Sequence, residues 1–530
     1  MKKTVFLLPL TVLLLLGAFW GVRAYQAANV PSTDFSRTIA LVPLDSRPCN
    51  TQYPQVLSQM ADHRILLPPA DALDDFLRPA DSEALWQWLE DASRQSQTLI
   101  LFTNELFNGG LIQSRSSQSY ADTETQLDKL TQFLADHPDN DITLVTILPR
   151  LKPSQFDEAL WPYEVELTQW GQALDQAALS GAPQPAVPQG VPSQAAQQYL
   201  ALFEHSRQLT EGLADLAQSG ALSRVIIGQD DAETWCPSNI IYRSLESRQI
   251  ENLTLVRGAD ELTMLLVADI VNNLPPLGVK IVYSDPALAE TYYPYEAAPL
   301  RELITEKLAL AGLTEDPSSD YVIVVHTNEQ AAGLVPGLLA EYSNAAYLGL
   351  ADIAYTNKGD SALYDLLNQS AVQDELDCYA GWNTASNTLG TVLAHCRITQ
   401  QLSHDYPLLS RTNRTSALTA LHTFKYIRFA EDQIYQAQLS NPLRTDLQAW
   451  DWMHYTNAFL PGRRDDAQAL LDSRFAPYQP LLEKLFAGEH TIHLNDRRVT
   501  YTAADLQTNL RFPWNRAFEV EALCTFELTF

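Results

Sequence analysis

The sequence is poor in cysteine and in basic residues. Its 530 residues include five cysteines, which are scattered along the chain and form no CxxC pair. That number excludes a disulfide-stapled scaffold, and Cys378 and Cys396, which flank one loop and helix, would either pair or be buried as free thiols. The 35 Lys and Arg residues against 64 Asp and Glu residues give a net charge of −29. Such an acidic surface repels a phosphate backbone, so nucleic acid is not expected as a partner.

Several catalytic sequence motifs are also missing. The chain contains no HExxH zinc motif, no P-loop, no GxSxG nucleophile elbow and no GxGxxG fingerprint. Zinc proteolysis, P-loop nucleotide hydrolysis, α/β-hydrolase chemistry and dinucleotide redox chemistry are less expected for that reason. No cofactor is expected, and a divalent metal ion is the one alternative that the residue types leave open.

The N-terminus carries the pattern of an export signal. Lys2 and Lys3 precede an apolar stretch from Val5 to Val22, and Val22-Arg23-Ala24 is a weak small-residue cleavage site. This pattern predicts that residues 1–30 are a signal peptide or an N-terminal membrane anchor. Both outcomes place the bulk of the protein outside the cytoplasm, either secreted or tethered to a membrane through this segment.

Beyond residue 37 the chain alternates between short apolar runs and amphipathic stretches. The apolar runs predict strands near 39–45, 65–68, 98–103, 142–148, 223–229, 253–257, 279–284, 321–326, 347–353 and 376–380. Continuously apolar runs are typical of parallel strands that helices cover on both faces. The sequence therefore predicts an α/β fold built of mostly parallel βαβ units.

Two layouts accommodate these units. In the first, residues 37–275 and 276–400 form two α/β lobes, and in the second most of the strands close a TIM-like barrel with additions. From residue 401 to 530 apolar residues recur at helical spacing, which predicts a mainly helical C-terminal region. A β-hairpin is expected within it, over 490–502, with Asn495-Asp496 at the turn.

Two pairs of adjacent acids follow predicted strands directly, and these four residues are the candidate catalytic residues: Asp230, Asp231, Asp260 and Glu261. Because ligands bind outside the carboxyl ends of parallel strands, we expect these side chains to border a polar pocket. Two close carboxylates repel each other, which raises the pKa of one and fits that group for general acid or base catalysis. The other interpretation is that Asp231 and Glu261 belong to the N-terminal turns of the helices that follow.

Further polar and aromatic residues follow the strands or lie in the loops after them, and they are the candidate substrate-binding residues: Asp45, Arg47, Asn104, Arg115, Arg150, His326, Trp382, Asn383 and Asn387. An apolar ring beside amides suits a sugar or another polar ligand, although the stretch around Asn383 would also fit the start of a helix with Trp382 in the core. The arginines would bind an anionic substrate group or neutralise the nearby carboxylates. His326 is a lone histidine at a strand end, a position that is more often structural than catalytic.

Six ordered strings of the sequence resemble the bacterial family catalogued as domain of unknown function 4127. They are Leu44-Asp45-Ser46-Arg47-Pro48 with Asn50, Asn108-Gly109-Gly110-Leu111 with Ser114-Arg115, Gly228 through Ala232, Gly258-Ala259-Asp260-Glu261, Ala380-Gly381-Trp382-Asn383-Thr384 with Asn387, and Phe512-Pro513-Trp514 with Arg516 and Phe518-Glu519. The resemblance covers residues 38–530 and implies an exported protein, but it supplies no established reaction. One departure is the segment 233–237, which is bulkier than the glycine-containing version expected there.

The residues favour an exported hydrolase that acts on a carbohydrate. Asp231 would be the general acid and base, and Asp230 would orient the substrate, a layout that resembles substrate-assisted hexosaminidases by analogy alone. One alternative is a metal-dependent hydrolase of another substrate class, in which Asp45, Asp230, Asp260 and His326 hold a divalent cation. Another is a two-lobed extracytoplasmic binding protein that closes on a small polar ligand.

Overall fold

The computed structural model describes residues 35–120, 122–370, 376–494 and 497–530. These residues form an α/β fold with two parallel sheets, helices between the strands, and a C-terminal antiparallel sheet. The expected signal peptide or anchor at 1–30 lies outside the described residues. None of the helices in the described ranges combines the length and the apolar content that crossing a bilayer requires.

The first sheet has six parallel strands in the order β2-β1-β3-β4-β5-β6. Its strands are β1 (Arg37–Val42), β2 (His63–Leu66), β3 (Thr98–Phe102), β4 (Asp141–Leu148), β5 (Arg224–Gln229) and β6 (Leu253–Leu255). The accompanying helices are α1 (Gln52–Met60), α2 (Ser82–Ala92), α3 (Thr103–Leu106), α4 (Thr123–Asp136), α5 (Glu164–Ser180), α6 (Ser193–Gln218), α7 (Pro237–Glu246) and α8 (Leu262–Ile270). The burial of nearly every residue in β3, β4 and β5 explains why their sequences read as continuous apolar runs.

The second sheet has five parallel strands in the order β11-β10-β9-β7-β8. Its strands are β7 (Leu277–Tyr283), β8 (Leu313–Glu315), β9 (Tyr321–His326), β10 (Tyr347–Asp352) and β11 (Cys378–Ala380). The helices of this part are α9 (Leu300–Leu310), α10 (Val335–Glu341), α11 (Ser361–Gln369) and α12 (Ala385–Asp405). Short 3₁₀ turns occur in both parts and before the last helix, at Gln113–Arg115, Ser117–Tyr120, Trp161–Tyr163, Pro286–Glu290, Glu329–Leu334 and Ala476–Tyr478.

The C-terminal region begins with helices and ends in a sheet. Its helices are α13 (Arg411–Arg428), a π-helix (Phe429–Leu439), α14 (Ser440–Ala449), α15 (Arg464–Phe475) and α16 (Gln479–Phe486). The antiparallel sheet consists of β12 (Gly488–Leu494), β13 (Arg497–Arg511) and β14 (Glu521–Thr529) in that order. The predicted hairpin is thus confirmed in its strands, while its turn at 495–496 lies outside the described residues.

One hydrophobic core connects the two parallel sheets. It contains Leu41 of the first sheet, Val325 of the second, and Leu265 and Leu393 from helices α8 and α12. Helix α8 packs on both α12 and α1, so these helices fill the space between the sheets. The sheets therefore do not stand as two separately packed bodies, and burial of this shared apolar surface holds them together.

The α/β prediction is confirmed, and the strands divide into two parallel sheets, as the layout of two α/β lobes requires. The ten predicted strands are all present, with bounds that shift by a few residues. The barrel alternative is wrong, because the strands form two open sheets of six and five strands. Strand β8 was not predicted, because only one of its three residues is apolar. All five cysteines are free, so Cys378 and Cys396 do not pair.

Candidate functional site

Two adjoining cavities lie where the carboxyl ends of both parallel sheets face the C-terminal region. Their volumes are about 490 and 620 Å³, and they share three lining residues, Asn357, Asn383 and Phe518. We refer to the two together as the cleft. The side chains that line it from the sequence-predicted set are Arg47, Arg150, Asp231, Trp382 and Asn383. The cleft therefore lies where ligands bind in open parallel sheets.

Arg47 joins two buried carboxylates at one side of the cleft. Its Nη2 donates to Asp45 Oδ2 at 2.6 Å and to Asp260 Oδ1 at 2.5 Å, and its Nη1 donates to Asp260 Oδ2 at 3.1 Å. The amides of Asn50 and Asn383 also donate to Asp260, at 3.3 and 3.2 Å. Burial raises the pKa of Asp260 to about 6, with Asp45 acting in the same direction and Arg47 opposing it. The network fixes the loop after β1 against the loop after β6.

The acid pair Asp230 and Asp231 follows β5, and each member has its own arginine. Arg115 donates to Asp230 at 2.8 Å through Nε, and Arg150 donates to Asp231 at 3.0 Å. Burial raises the pKa of Asp230, and Asp231 adds to the rise, although Arg115 opposes it. Asp230 is buried and lines neither cavity, whereas the Asp231 side chain is 27% exposed and borders the larger one. All three predicted arginines thus neutralise carboxylates, and Arg47 and Arg150 also face the cleft.

The two members of the second acid pair, Asp260 and Glu261, also have different partners. Asp260 belongs to the Arg47 network, while Glu261 forms an ion pair of 2.6 Å with Lys307 in which both side chains are fully buried. Asn387 donates to Glu261 at 2.6 Å. Neither Asp231 nor Glu261 caps a helix by its side chain, because α7 begins six residues after Asp231 and the Glu261 carboxylate is used elsewhere. Glu261 and Asn387 hold α8, α9 and α12 together and lie behind the cleft.

The string after β11 both builds a helix and lines the cleft. Thr384 and Asn387 form a capping box at the start of α12, so the helix-start interpretation of this stretch is confirmed. Trp382 packs against the core and donates from Nε1 to Thr391 at 3.1 Å, yet its ring also borders the smaller cavity. Asn383 lies in the left-handed region with φ of 48°.

Backbone strain concentrates at the larger cavity. Four of the residues that line it have positive φ without being glycine: Asp231, Tyr295, Asn357 and Asn383, with φ of 38°, 65°, 62° and 48°. Asp and Asn adopt the left-handed region more readily than other residues with a Cβ, so Tyr295 is the most strained of the four. Such conformations cluster at active sites and ligand clamps, which supports a binding or catalytic role for this cavity.

The C-terminal region supplies carboxylates that the sequence analysis missed. Glu431 and Asp432 lie on the π-helix and line the smaller cavity, and Arg428 pairs with both at 2.9 and 3.1 Å. Burial raises the pKa of Glu431 to about 7 and that of Asp432 to about 6, while Arg428 opposes both shifts. Tyr53 donates a hydrogen bond to Glu431. Long π-helical segments are rare and occur often at functional sites, so this one also supports a functional role for the cleft.

Asn104 and His326 lie outside the cleft. Asn104 is fully buried and connects β4 to its own loop, with Oδ1 accepting from the Ile147 backbone N–H at 2.9 Å. His326 is also fully buried and lies 3.0 Å from Asp360. Both side chains make contacts inside the fold, and neither borders the two cavities.

The four suggested metal ligands do not assemble into a metal site. Asp45 and Asp260 share the Arg47 guanidinium, so a cation already fills the position between them. Asp230 pairs with Arg115, and His326 belongs to the separate contact with Asp360. In the part of the chain that the structure describes, no group of three or more His, Cys, Asp and Glu side chains is arranged to hold a metal ion.

Asp231 has a second carboxyl group beside it in the larger cavity. Glu233 lines the same cavity, burial raises its pKa, and the nearby Asp231 raises it further. Both side chains are half-buried, so both can reach a ligand. Glu233 belongs to the segment 233–237 that the sequence analysis noted as a departure from the family pattern, and nothing in that segment marked it as a site residue.

The cleft lies entirely within a region that matches a known protein family. A family model described as "Protein of unknown function (DUF4127)" matches residues 39–522. The chain belongs to this family. Comparison with curated proteins found no match, and comparison with solved structures found none either. Since the function of the DUF4127 family is unknown, a function for this DUF4127 protein has to be argued from the cleft.

Proposed function

We propose that this protein is an exported hydrolase that acts on a carbohydrate, and that the cleft is its active site. The observation that carries the proposal is the pair Asp231 and Glu233 in one cavity, with the pKa of one of them raised. Glycoside hydrolysis needs one carboxyl group that stays protonated and one carboxylate beside it. The sequence-based assignment paired Asp231 with Asp230, but Asp230 lies behind the cavity wall with Arg115.

Glu233 is the proposed general acid, because a raised pKa keeps a proton on its carboxyl group closer to neutral pH. It would donate that proton to the leaving oxygen as the bond between the sugar carbon and that oxygen breaks. Asp231, whose charge Arg150 stabilises at 3.0 Å, is the carboxylate that would act on the opposite side, as base toward water or as nucleophile. The amides of Asn357 and Asn383 and the ring of Phe518 border the same cavity and suit sugar hydroxyls and the apolar face of a sugar ring.

The alternative of a binding protein with two closing lobes receives less support. Closure of that kind requires two bodies that move relative to each other about a hinge. Here one apolar core runs through α8 and α12 between the two sheets. Opening the sheets would expose that core to water, which costs free energy in proportion to the area exposed.

The test is release of reducing sugar by the purified full chain from a panel of cell-envelope and plant polysaccharides and aryl glycosides. On a substrate that is hydrolysed, Asp231→Asn and Glu233→Gln should each lower kcat by about 10²- to 10⁴-fold. Asp215→Asn is the matched control, because Asp215 forms an ion pair with Arg248 at 2.7 Å away from the cleft. It should retain wild-type activity.

Three outcomes would contradict the proposal. One is hydrolysis that both cleft variants retain in full. A second is turnover that a chelator abolishes and a divalent metal ion restores, which would favour the metal-dependent alternative. Saturable binding of a sugar without any turnover would favour the binding-protein alternative instead.

A further inference from the structure

A third cavity lies between α13, the π-helix, α16 and the antiparallel sheet, and it shares no lining residue with the cleft. Its volume, counted with the space that is open to solvent, is about 1370 Å³. Buried apolar and aromatic side chains form its walls: Phe429, Phe486, Ile492 and Tyr501. Nothing in the proposed hydrolase chemistry uses this cavity.

The charge around this cavity is opposite to that of the protein as a whole. Lys425, Lys484 and Arg498 border it, against the single carboxylate of Glu489. The chain as a whole has 64 acidic residues against 35 basic ones. Within the described ranges none of these three cations has an ion-pair partner, whereas Arg47 and Arg150 of the cleft are both paired. An excess of unpaired cations attracts an anion.

The wall of the cavity is held in place by a neutral histidine. His422 Nε2 lies 2.8 Å from the Phe486 carbonyl oxygen, which can only accept, so Nε2 carries the ring proton. Nδ1 then accepts from the Tyr501 hydroxyl at 3.1 Å. Burial lowers the pKa of His422 to about 3, which agrees with the neutral ring. The histidine thus connects the Phe486 backbone of α16 to the Tyr501 side chain of β13 at the cavity wall.

We propose that this cavity binds a small amphipathic anion. Its apolar or aromatic body would pack against Phe486 and Tyr501, and its carboxylate or similar head group would lie toward Lys425 and Arg498. This site shares no lining residue with the cleft, so the proposed anion binding can be tested independently of the hydrolase function.

The test uses titration calorimetry to measure the binding of 2-naphthoate to the full chain and compares it with the binding of the neutral analogue 2-naphthamide. The two probes share one apolar body and differ in charge. We expect naphthoate to bind one-to-one and at least about tenfold more tightly than the amide, and the difference should shrink as salt is added. The double variant Lys425→Gln with Arg498→Gln should weaken naphthoate binding about tenfold and leave amide binding unchanged.

Two control variants separate this site from general charge effects and from the cleft. Arg64→Gln with Arg411→Gln changes the net charge equally at two exposed arginines outside the cavity and should bind naphthoate as the wild type does. Asp231→Asn should also bind it normally. Equal affinity for naphthoate and the amide, or no effect of the cavity variant beyond that of the control, would overturn the proposal. So would the absence of naphthoate binding up to millimolar concentration.

Discussion

Replacing Arg47 by methionine tests the network that fixes one side of the cleft. The substitution keeps an unbranched apolar stem and removes the guanidinium that contacts Asp45 and Asp260. Both carboxylates are buried, so each would lose its charge partner without gaining water. Breaking a buried ion pair from one side costs about 3–5 kcal/mol, because an uncompensated charge remains inside the protein.

The cost should depend on pH, and the sign follows from Asp260. Its pKa is about 6 with Arg47 present, and Arg47 lowers it, so removal of Arg47 raises it further. A carboxyl group whose pKa is raised by folding stabilises the protein below its unfolded pKa of about 4, and that contribution is lost as the pH rises through the folded value. In the variant the Asp260 carboxyl group is protonated at about pH 5. At about pH 8 it either carries a buried charge without a partner or keeps a proton that it would lose in the unfolded chain. The loss of stability should therefore be smaller at the lower pH, by about 1.4 kcal/mol for each unit of additional pKa shift.

The assay is urea unfolding followed by far-UV circular dichroism at about pH 5 and pH 8. Arg47→Met should lose about 3–5 kcal/mol at the higher pH, while the control Arg64→Met, at an exposed position of β2, should change by no more than about 0.5 kcal/mol. Adding Asp260→Asn to Arg47→Met removes one of the orphaned charges and should recover part of the loss at pH 8. A loss below about 1 kcal/mol, or an equal loss at both pH values, would refute the account of this network.

Three further predictions concern Asp74, Lys307 and Asn357. Burial and the nearby Asp45 raise the pKa of Asp74 to about 8. The stabilising contribution of Asp74 is therefore present at acid pH and is lost as the pH rises through that value. Asp74→Asn should raise the melting temperature at about pH 9 and change it little at about pH 5. Lys307→Met should cost about 3–5 kcal/mol in urea unfolding because the buried Glu261 loses its ion-pair partner, and adding Glu261→Gln should return most of that loss. Asn357, at φ of 62°, should tolerate glycine but lose about 1–2 kcal/mol of stability when changed to valine, as measured by thermal unfolding.

The sequence predicted the parallel sheets and the position of the pocket because both depend on local pattern. A buried strand needs a continuous apolar run, and the polar residues that follow it must lie at the carboxyl edge of the sheet. Asp231, Trp382 and Asn383 were found at the cleft for that reason. The three-residue strand β8 was missed because a single apolar residue gives no recognisable pattern.

What the sequence could not provide is the pairing of distant residues. Arg47 and Asp260 are 213 positions apart, and no local spacing indicates that the first would neutralise the second. Glu431 and Asp432 follow Arg428 at the spacing of ordinary surface ion pairs on an α-helix, so nothing marked them as buried on a π-helix beside the cleft. Glu233 was not predicted as a site residue, because its position depends on the loop that brings it into the cavity of Asp231.

The most direct test of the central claim measures whether Glu233 gives a proton to the leaving group. The experiment compares kcat/KM of the wild type and Glu233→Gln on two glycosides of the same sugar, one with an alkyl leaving group and one with dinitrophenol, which leaves without protonation. The account predicts a loss of about 10²- to 10⁴-fold on the alkyl glycoside and near wild-type activity on the dinitrophenyl glycoside. An equal loss on both substrates, or no loss on either, would contradict it.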